Sequence, residues 1–448
     1  MITIPKETAE RWGYSGFSDF FIPGKAFRAV FVVLAAAILF CYAVGLHGMA
    51  SGYRNLYGVT REIPWGVLIS GYVFCVVTST GLCIVSSVGH VFGHEPFMPI
   101  AKRAVFLALI FLVGGFSILL FDLENPLHMI WFMLSPNLRS NMWWMGLLYG
   151  LYLCALSVEY LFLLAQNHRM SRLAGFMAVL CGVAAHSNLG AIFGMLSGRD
   201  YWYGPYFPIY FVFSAIMSGG GAILFFTCVA SRVEPEIMNE RMERAMKAVC
   251  KLTITMISVV MFFTIWETIC GFVSPEKYLT LSVFLTGPYA YNYWIGEILC
   301  GLVLPLVLLV RSKGTDLRLM LIAGGMMLAG IFFMRYDFVI AGQIVPVFHS
   351  LGVEEYRSLL TYRPSFHEIA VVAGGLCLVA FLFLSGERVL GGHRLQKHEI
   401  VPPGGFICPG CGAIHYRQEG ESEEQSLRRY HGFRAAAPPN AERETARR

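Results

Sequence analysis

Ten apolar stretches, each long enough to cross a bilayer, constrain this chain more than any other feature. A helical span needs roughly 20 predominantly apolar residues. Reading with that window predicts spans near 26–47, 64–89, 103–122, 143–166, 172–196, 208–230, 247–272, 290–310, 317–335 and 368–386. In lipid a backbone N–H or C=O finds no water, so a run of this length is read as a helix that bonds within itself. Composition agrees: 56% of residues are hydrophobic, 14% are charged and mean hydropathy is +0.59, whereas soluble domains carry about 25% charge. The expected fold class is all-α, a polytopic transmembrane helix bundle of about ten spans with a short cytoplasmic C-terminal tail. Residues 1–25 form an N-terminal segment, 26–390 the membrane domain and 391–448 the tail.

Several classes are set aside at once. The net charge of +5 is spread over termini and short loops, which argues against nucleic acid as a partner. The 12 cysteines stand mostly alone in apolar runs and read as small buried residues rather than a disulfide framework. No small-residue cleavage motif follows a short apolar run near the start, so no signal peptide is expected. No internal repeat of useful strength is legible, and one hidden by divergence stays open.

Lysine and arginine favour cytoplasmic loops. The loops after the even-numbered spans hold twelve of them, Lys102, Arg103 and Arg318 among them, and the loops after the odd-numbered spans seven. Both termini are therefore expected in the cytoplasm. The outer segments, such as NLRSNMWWM and GRDYWYGPYFP, are rich in aromatic residues and proline, which suits interfacial anchoring or docking of a partner.

Ionisable residues inside a membrane are costly and usually have a partner and a task. With this orientation, Asp122, His186, Glu267, Glu297 and Arg335 all fall in the outer half, with His47 and Glu62 at its edge. Arg335 and Asp337 are two residues apart and point to different helix faces, so each needs its own partner. Glu267 or Glu297 is the expected partner of Arg335. The inner half is sparser, with Glu159 and His90, although the second span also carries Ser70, Tyr72, Thr78, Ser79 and Thr80. Those small polar residues read as packing contacts or as a wet path from the cytoplasm, with Glu159 on it.

An outer cluster of histidine, carboxylates and arginine suits a quinone, whose reduction or oxidation moves two electrons and two protons. Histidine titrates near neutrality and can exchange a proton with the head group. Proton-coupled transport would use similar residues, and a purely structural anchor is a third reading. His47 with His186 is the one conceivable pair of haem ligands and His90 lies at the opposite depth, so no haem is expected, and no iron–sulfur cysteine set lies within the spans. Electrons would then pass to or from a partner.

Several blocks carry a family resemblance: the run 61–110, which opens REIPWGVLISGYVF and includes Arg103, FDLENP (121–126), SPNLRSNMWWMGLLYGLYL (135–153) and FFMRYDFVIAGQ (332–343). They resemble the NrfD/PsrC-type polysulfide reductase membrane subunits. The ten-span count is similar to the larger branch, which includes periplasmic hydrogenase membrane subunits and the DsrP subunit of a sulfite-reduction-linked complex. The resemblance implies a menaquinone- or ubiquinone-interacting subunit without its own redox cofactor. It also implies a ferredoxin-like iron–sulfur subunit on the outer face and a respiratory complex in the inner membrane of a bacterium or archaeon. By the matching blocks, Glu62, Arg103, Asp122, Arg335, Asp337 and Gln343 are the corresponding positions, while His186 lies in a span that departs around it. His186, Asp122 and Glu62 are the candidates for the head group or its protons. Glu159, Glu267, Glu297, Arg335, Asp337, Arg103 and Gln343 are candidates for a proton path or a structural charge cluster.

The tail is polar and outside the family core. Its CPGCG turn places Cys408 two residues from Cys411, and His415 follows. That is half a zinc site, since zinc usually takes four ligands. A degenerate knuckle, or one completed by a partner, is the alternative. The last 30 or so residues have the composition of a disordered segment.

Overall fold

The computed structural model describes residues 25–52, 56–165, 167–233, 238, 240–347, 349, 358–389, 405–407, 414–416 and 425. Among these, ten helices are long and apolar enough to cross a membrane. In chain order the helices are α1 (Lys25–Ala50), α2 (Val67–His90), α3 (Met98–Asp122), α4 (His128–Leu134), α5 (Asn141–Leu164), α6 (His168–Gly194), α7 (Tyr206–Val233), α8 (Glu240–Val273), α9 (Pro275–Leu285), α10 (Asn292–Ser312), α11 (Leu317–Ile344) and α12 (Phe366–Val389). The short α4 and α9 lie in connections; the rest are the ten spans. The chain is a multi-pass, all-α integral membrane protein. A separate unit, Arg394–Arg448, contains an antiparallel pair, β1 (Gly405–Ile407) with β2 (Ile414–Tyr416), in which Phe406 faces His415.

Local chemistry starts the helices. Ser140 accepts from the Trp143 N–H, Asn167 from Met170, and Asp316 from both Arg318 and Leu319, each satisfying donors that a helix start leaves free. The largest difference from the sequence reading is in α11. An apolar window stops at Arg335, yet the helix runs on to Ile344. Arg335 and Asp337 are 0% and 1% exposed, and the apolar run resumes after them at Phe338. A hydropathy window sees two charges, whereas the fold sees two residues already inside protein. In α10, residues Asn292–Val303 form a π-helix immediately before Leu304 and Pro305. Proline lacks an N–H and disturbs the preceding turn, and π turns accommodate such breaks.

Alternate connections differ in length. Those after α1, α3, α6, α8 and α11 are long, and those after α2, α5, α7 and α10 are short. The two ends of the bundle are therefore a long-loop side and a short-loop side.

The spans pack as two rings of four. Helices α2, α3, α5 and α6 close one ring, α7, α8, α10 and α11 close the other, and α1 with α12 lies against α3. Both rings follow the same helix order and direction, as a tandem duplication would produce. With that register in hand, a repeat becomes visible in the sequence. Asn141, Trp143, Leu148, Gly150, Leu151 and Leu153 of α5 match Asn292, Trp294, Leu299, Gly301, Leu302 and Leu304 of α10. Tyr72 and Gly81 of α2 match Tyr210 and Gly219 of α7 at the same spacing.

The rings meet where α2 crosses α7. Gly81 and Gly219 pack backbone to backbone, and a Cβ on Gly81 would overlap the Ala215 carbonyl. Close by, the Thr78 and Ser218 hydroxyls are 2.6 Å apart. Gly150, by contrast, has nothing within 4 Å of where a Cβ would stand. We expect Gly81→Val to cost about 3 kcal/mol through overpacking, seen as a lower unfolding temperature of the detergent-solubilised protein. Gly150→Ala should leave that temperature unchanged or slightly raised.

Candidate functional site

At the long-loop side one carboxylate organises the surroundings. Ser365 and Glu368 form a reciprocal helix cap: Ser365 N–H donates to Glu368 Oε2 (2.8 Å) and Glu368 N–H to Ser365 Oγ (3.2 Å). This is the Ser-x-x-Glu capping box. The carboxylate also accepts from Gly58 N–H and from the Tyr362 hydroxyl, each at 2.8 Å, and Tyr362 in turn accepts from Val67 N–H at 2.8 Å. Fully buried, Glu368 joins the start of α12, the 56–66 connection and the start of α2. It is not among the candidates read from the sequence; the signal was the SFHE tetrapeptide immediately before an apolar run.

Beside this clamp lie the groups that could meet a ligand. Tyr57 packs against Gly48 with His367 next to it, and His47 Nδ1 is 3.2 Å from His367 Nε2 with the rings stacked. Burial, with the Glu368 and Asp122 carboxylates in electrostatic contact, pushes the Tyr57 phenol up to about 12. It therefore stays a hydrogen-bond donor across physiological pH. Asp122 is half-buried and His47 exposed. The neighbouring outer face of α1 is apolar, with Leu39, Phe40 and Leu46 exposed.

Glu62 and Gln343 belong to a different structure, a latch across three chain segments. Gln343 Nε2 donates to the Trp65 carbonyl (2.8 Å) and its Oε1 accepts from Trp65 N–H (3.1 Å). Arg199 Nη1 donates to the carbonyls of Gln343 and Val345, both at 2.9 Å, and its Nη2 to the Glu62 carbonyl at 3.0 Å. Trp202 Nε1 donates to the Phe338 carbonyl at 2.9 Å, and its indole fills the space that a side chain at Gly342 would need. Glu62 thus contributes its backbone carbonyl to the latch, while its side chain is exposed.

His186 is elsewhere again, fully buried between the rings. Its Nε2–H donates to the Phe211 carbonyl at 3.0 Å, an oxygen that also accepts from Ser214 Oγ at 3.0 Å. Arg335 Nη2 donates to Ser214 Oγ at 2.6 Å, and its guanidinium lies 4.8 Å from the Phe211 ring centre. The structure does not bring Asp122, Glu62 and His186 to one point. Nor does Arg335 make the ion pair expected with Glu267 or Glu297: among the described residues no carboxylate lies within 4.0 Å of it. The reason is helix rotation. Residue 335 turns toward α7 and residue 337 toward α10, where Asn292 Nδ2 donates to Asp337 Oδ1 at 3.3 Å. Glu297 is buried on the π-helical part of α10 and acts on Arg335 at longer range. Glu267 is half-buried next to Tyr206.

On the short-loop side, His90 Nε2 stands 2.9 Å from Glu159 Oε1, and Gly175 leaves room for both. Above them Tyr152 donates to the Ser79 carbonyl at 3.1 Å, followed by Tyr149 and Tyr72. These form a polar column through the first ring. Arg103 makes a two-pronged ion pair with Glu387, at 2.6 and 3.1 Å. It fastens α3 to α12 on this side, away from Arg335 and Asp337. Among the described residues no group of three or more potential metal ligands gathers. Cys408 and Cys411 lie outside the described residues, and His415 stands in β2.

Two four-helix rings, a polar column in one and buried carboxyl groups with a buried arginine in the other define a polytopic membrane protein with ionisable groups inside its spans. The sequence signature described as "Polysulphide reductase, NrfD" matches residues 55–347, and the chain belongs to the NrfD family. It is 24% identical over 416 residues to a selenate reductase subunit of Mesobacillus selenatarsenatis, covering 83% of this chain and 96% of that protein. It is 24% identical over 372 residues to the Hdr-like menaquinol oxidoreductase integral membrane subunit of Archaeoglobus fulgidus, covering 81% and 92%. To the integral membrane subunit of menaquinone reductase from Nitratidesulfovibrio vulgaris it is 22% identical over 355 residues, covering 73% and 83%.

Replacing Glu368 by alanine removes a cap and strands buried donors, so we expect a loss of about 3 kcal/mol, measured as a fall in unfolding temperature. Glu368→Gln keeps acceptor capacity and should recover part of that loss.

Proposed function

We propose that this protein is the quinone- or quinol-interacting subunit of a respiratory electron-transfer complex. It would exchange electrons between the menaquinone or ubiquinone pool and an iron–sulfur partner subunit on the long-loop side. The observation that carries this reading is the gathering of His47, Tyr57, Asp122 and His367 beside the apolar outer face of α1, in a family whose named relatives include a menaquinol oxidoreductase subunit and a menaquinone reductase subunit.

The chemistry follows from those side chains. A quinone head group needs a donor or acceptor at each carbonyl oxygen, and its tail needs lipid. Tyr57 supplies a phenol that stays protonated. Asp122 and the histidine pair supply groups that can take or give a proton as the ring changes oxidation state. Of the three candidates read from the sequence, half-buried Asp122 is proposed to serve the head group, while the exposed side chain of Glu62 stands outside it. His186, buried between the two rings with its Nε2–H on the Phe211 carbonyl, is proposed to act on the protons of the reaction from a distance. Glu159 with His90 is the proposed entry to a proton path from the short-loop side. The reading places the protein in the inner membrane of a bacterium or archaeon, with both termini cytoplasmic and a link to sulfur or sulfite respiration. In the tail, Cys408, Cys411 and His415 are proposed as zinc ligands. A purified protein with no zinc would remove that part alone.

The test uses the intact complex. Asp122→Asn and His367→Ala should each lower quinol-linked electron transfer by about 100-fold, the scale of a lost general acid or base, with all subunits still co-purifying. His186→Ala should lower it as well. Unchanged turnover in all three variants would favour an anchor that only holds partners at the membrane.

A further inference from the structure

The duplication allows each buried polar residue of the second ring to be compared with its counterpart in the first. Asn141 and Asn292 open α5 and α10. His186 and Arg335 each stand eighteen residues after the first residue of their helices, His168 and Leu317. This register pairs Gly146 with Glu297, His186 with Arg335, and Asn188 with Asp337. Each ring uses the last pair to tie its helices together. In the first, Asn188 Nδ2 donates to the Asn141 carbonyl at 2.9 Å. In the second, Asn292 Nδ2 donates to Asp337 Oδ1 at 3.3 Å. The first ring makes its tie with uncharged residues, so the tie does not require an acid.

The second ring nevertheless carries two acids where the first has an amide and a glycine. Asp337 is 1% exposed, and its Oδ2 is buried with no hydrogen-bond partner. Glu297 is 7% exposed and in electrostatic contact with Asp337, Glu267 and Arg335. The other groups facing this pair are Tyr206 and Tyr210 of α7, Tyr293 of α10, Tyr336 of α11 and Tyr289 of the preceding connection. Tyr201 also faces it, Lys277 of α9 acts on Glu267, and His186 faces Arg335. Three carboxyl groups are thus linked through Glu297, which alone of them is in electrostatic contact with Arg335, and the guanidinium donates its hydrogen bond to a serine. An unpaired charge is expensive to bury, and the smallest group that can neutralise a carboxylate is a proton.

We infer that Asp337 and Glu297 form a proton-binding site inside the second ring, one that the first ring lacks. The second ring carries acids where the first makes its tie without them, and one acid oxygen is buried with nothing bonded to it. Tyr289, Tyr336 and Asp337 lie together next to the long-loop connection, which is the side on which the proton exchanges. On release, the carboxylic O–H bond breaks and the proton passes to water on that side. A carboxylate left on Glu297 is in electrostatic contact with Arg335, and one left on Asp337 keeps the hydrogen bond from Asn292. A quinone need not be the substrate for this site to hold and release a proton.

Infrared difference spectra between acid and alkaline pH test it, recorded on the intact complex without quinol or electron acceptor. The wild type should show a protonated-carboxyl C=O band that shifts in heavy water and disappears at alkaline pH. Asp337→Asn and Glu297→Gln should each remove part of that band, and the double variant should bind about one proton fewer across the titration. The amide at Asn188 is the reason to expect that Asp337→Asn folds, and co-purification of the partner subunits checks it. If Asp337→Asn fails to assemble, Glu297→Gln carries the test alone. A wild type without the band, or a band unchanged in the variants that assemble, overturns the inference.

Discussion

The backbone contact between Gly81 of α2 and Gly219 of α7 is the constraint on which the rest of the bundle depends. Lipid offers little hydrophobic drive for helix association, so membrane bundles rely on close packing of small residues and on polar contacts. At this crossing the helices approach until no side chain fits, and a Thr78–Ser218 hydroxyl pair lies nearby. Because α2 and α7 are the first helices of their rings, that one contact sets how two four-helix units share a core. The space between the rings, where His186, Ser214 and Arg335 converge on the Phe211 carbonyl and ring, follows from it.

Away from that seam, polar residues fall into two kinds. Some are engaged in holding the protein together: Glu368 on Gly58, Tyr362 and Ser365, Gln343 on the Trp65 backbone, and Arg103, with its Nη1 left over, on Glu387. These connect segments far apart in sequence at the two ends of the bundle, where connections would otherwise have unpaired backbone groups. Others keep unused capacity: Asp337 Oδ2, His186 Nδ1 and two nitrogens of Arg335. A membrane interior tolerates unused capacity at a cost, and the functional proposals rest on that second kind and on the half-exposed groups around Tyr57.

Several candidate residues were legible in the sequence as residues but not as roles. Glu62 stood out as an acid at a span edge, yet only its carbonyl is engaged. Arg335 stood out as an intramembrane cation, yet its bonded partner is Ser214, a residue with no special mark in an apolar run. Glu368 escaped notice because it sits where an apolar window begins, although its SFHE setting carries a capping signature. The repeat was hidden because only a few residues per helix pair persist, and they become recognisable once packing supplies the register.

By itself, the sequence determined that the chain crosses a membrane ten times as helices, and roughly where, because a continuous apolar run of about 20 residues satisfies its backbone hydrogen bonds in hydrocarbon by bonding within itself. It also determined the family, through short blocks, two of which bond to each other through Trp65 and Gln343. The tertiary structure decided which buried charges meet, that α11 continues through Arg335 and Asp337, and that the spans form two matched rings. Those outcomes depend on helix rotation and on contacts between residues hundreds of positions apart. A periodicity of 3.6 residues sets which side chains share a face, but not which face another helix will cover.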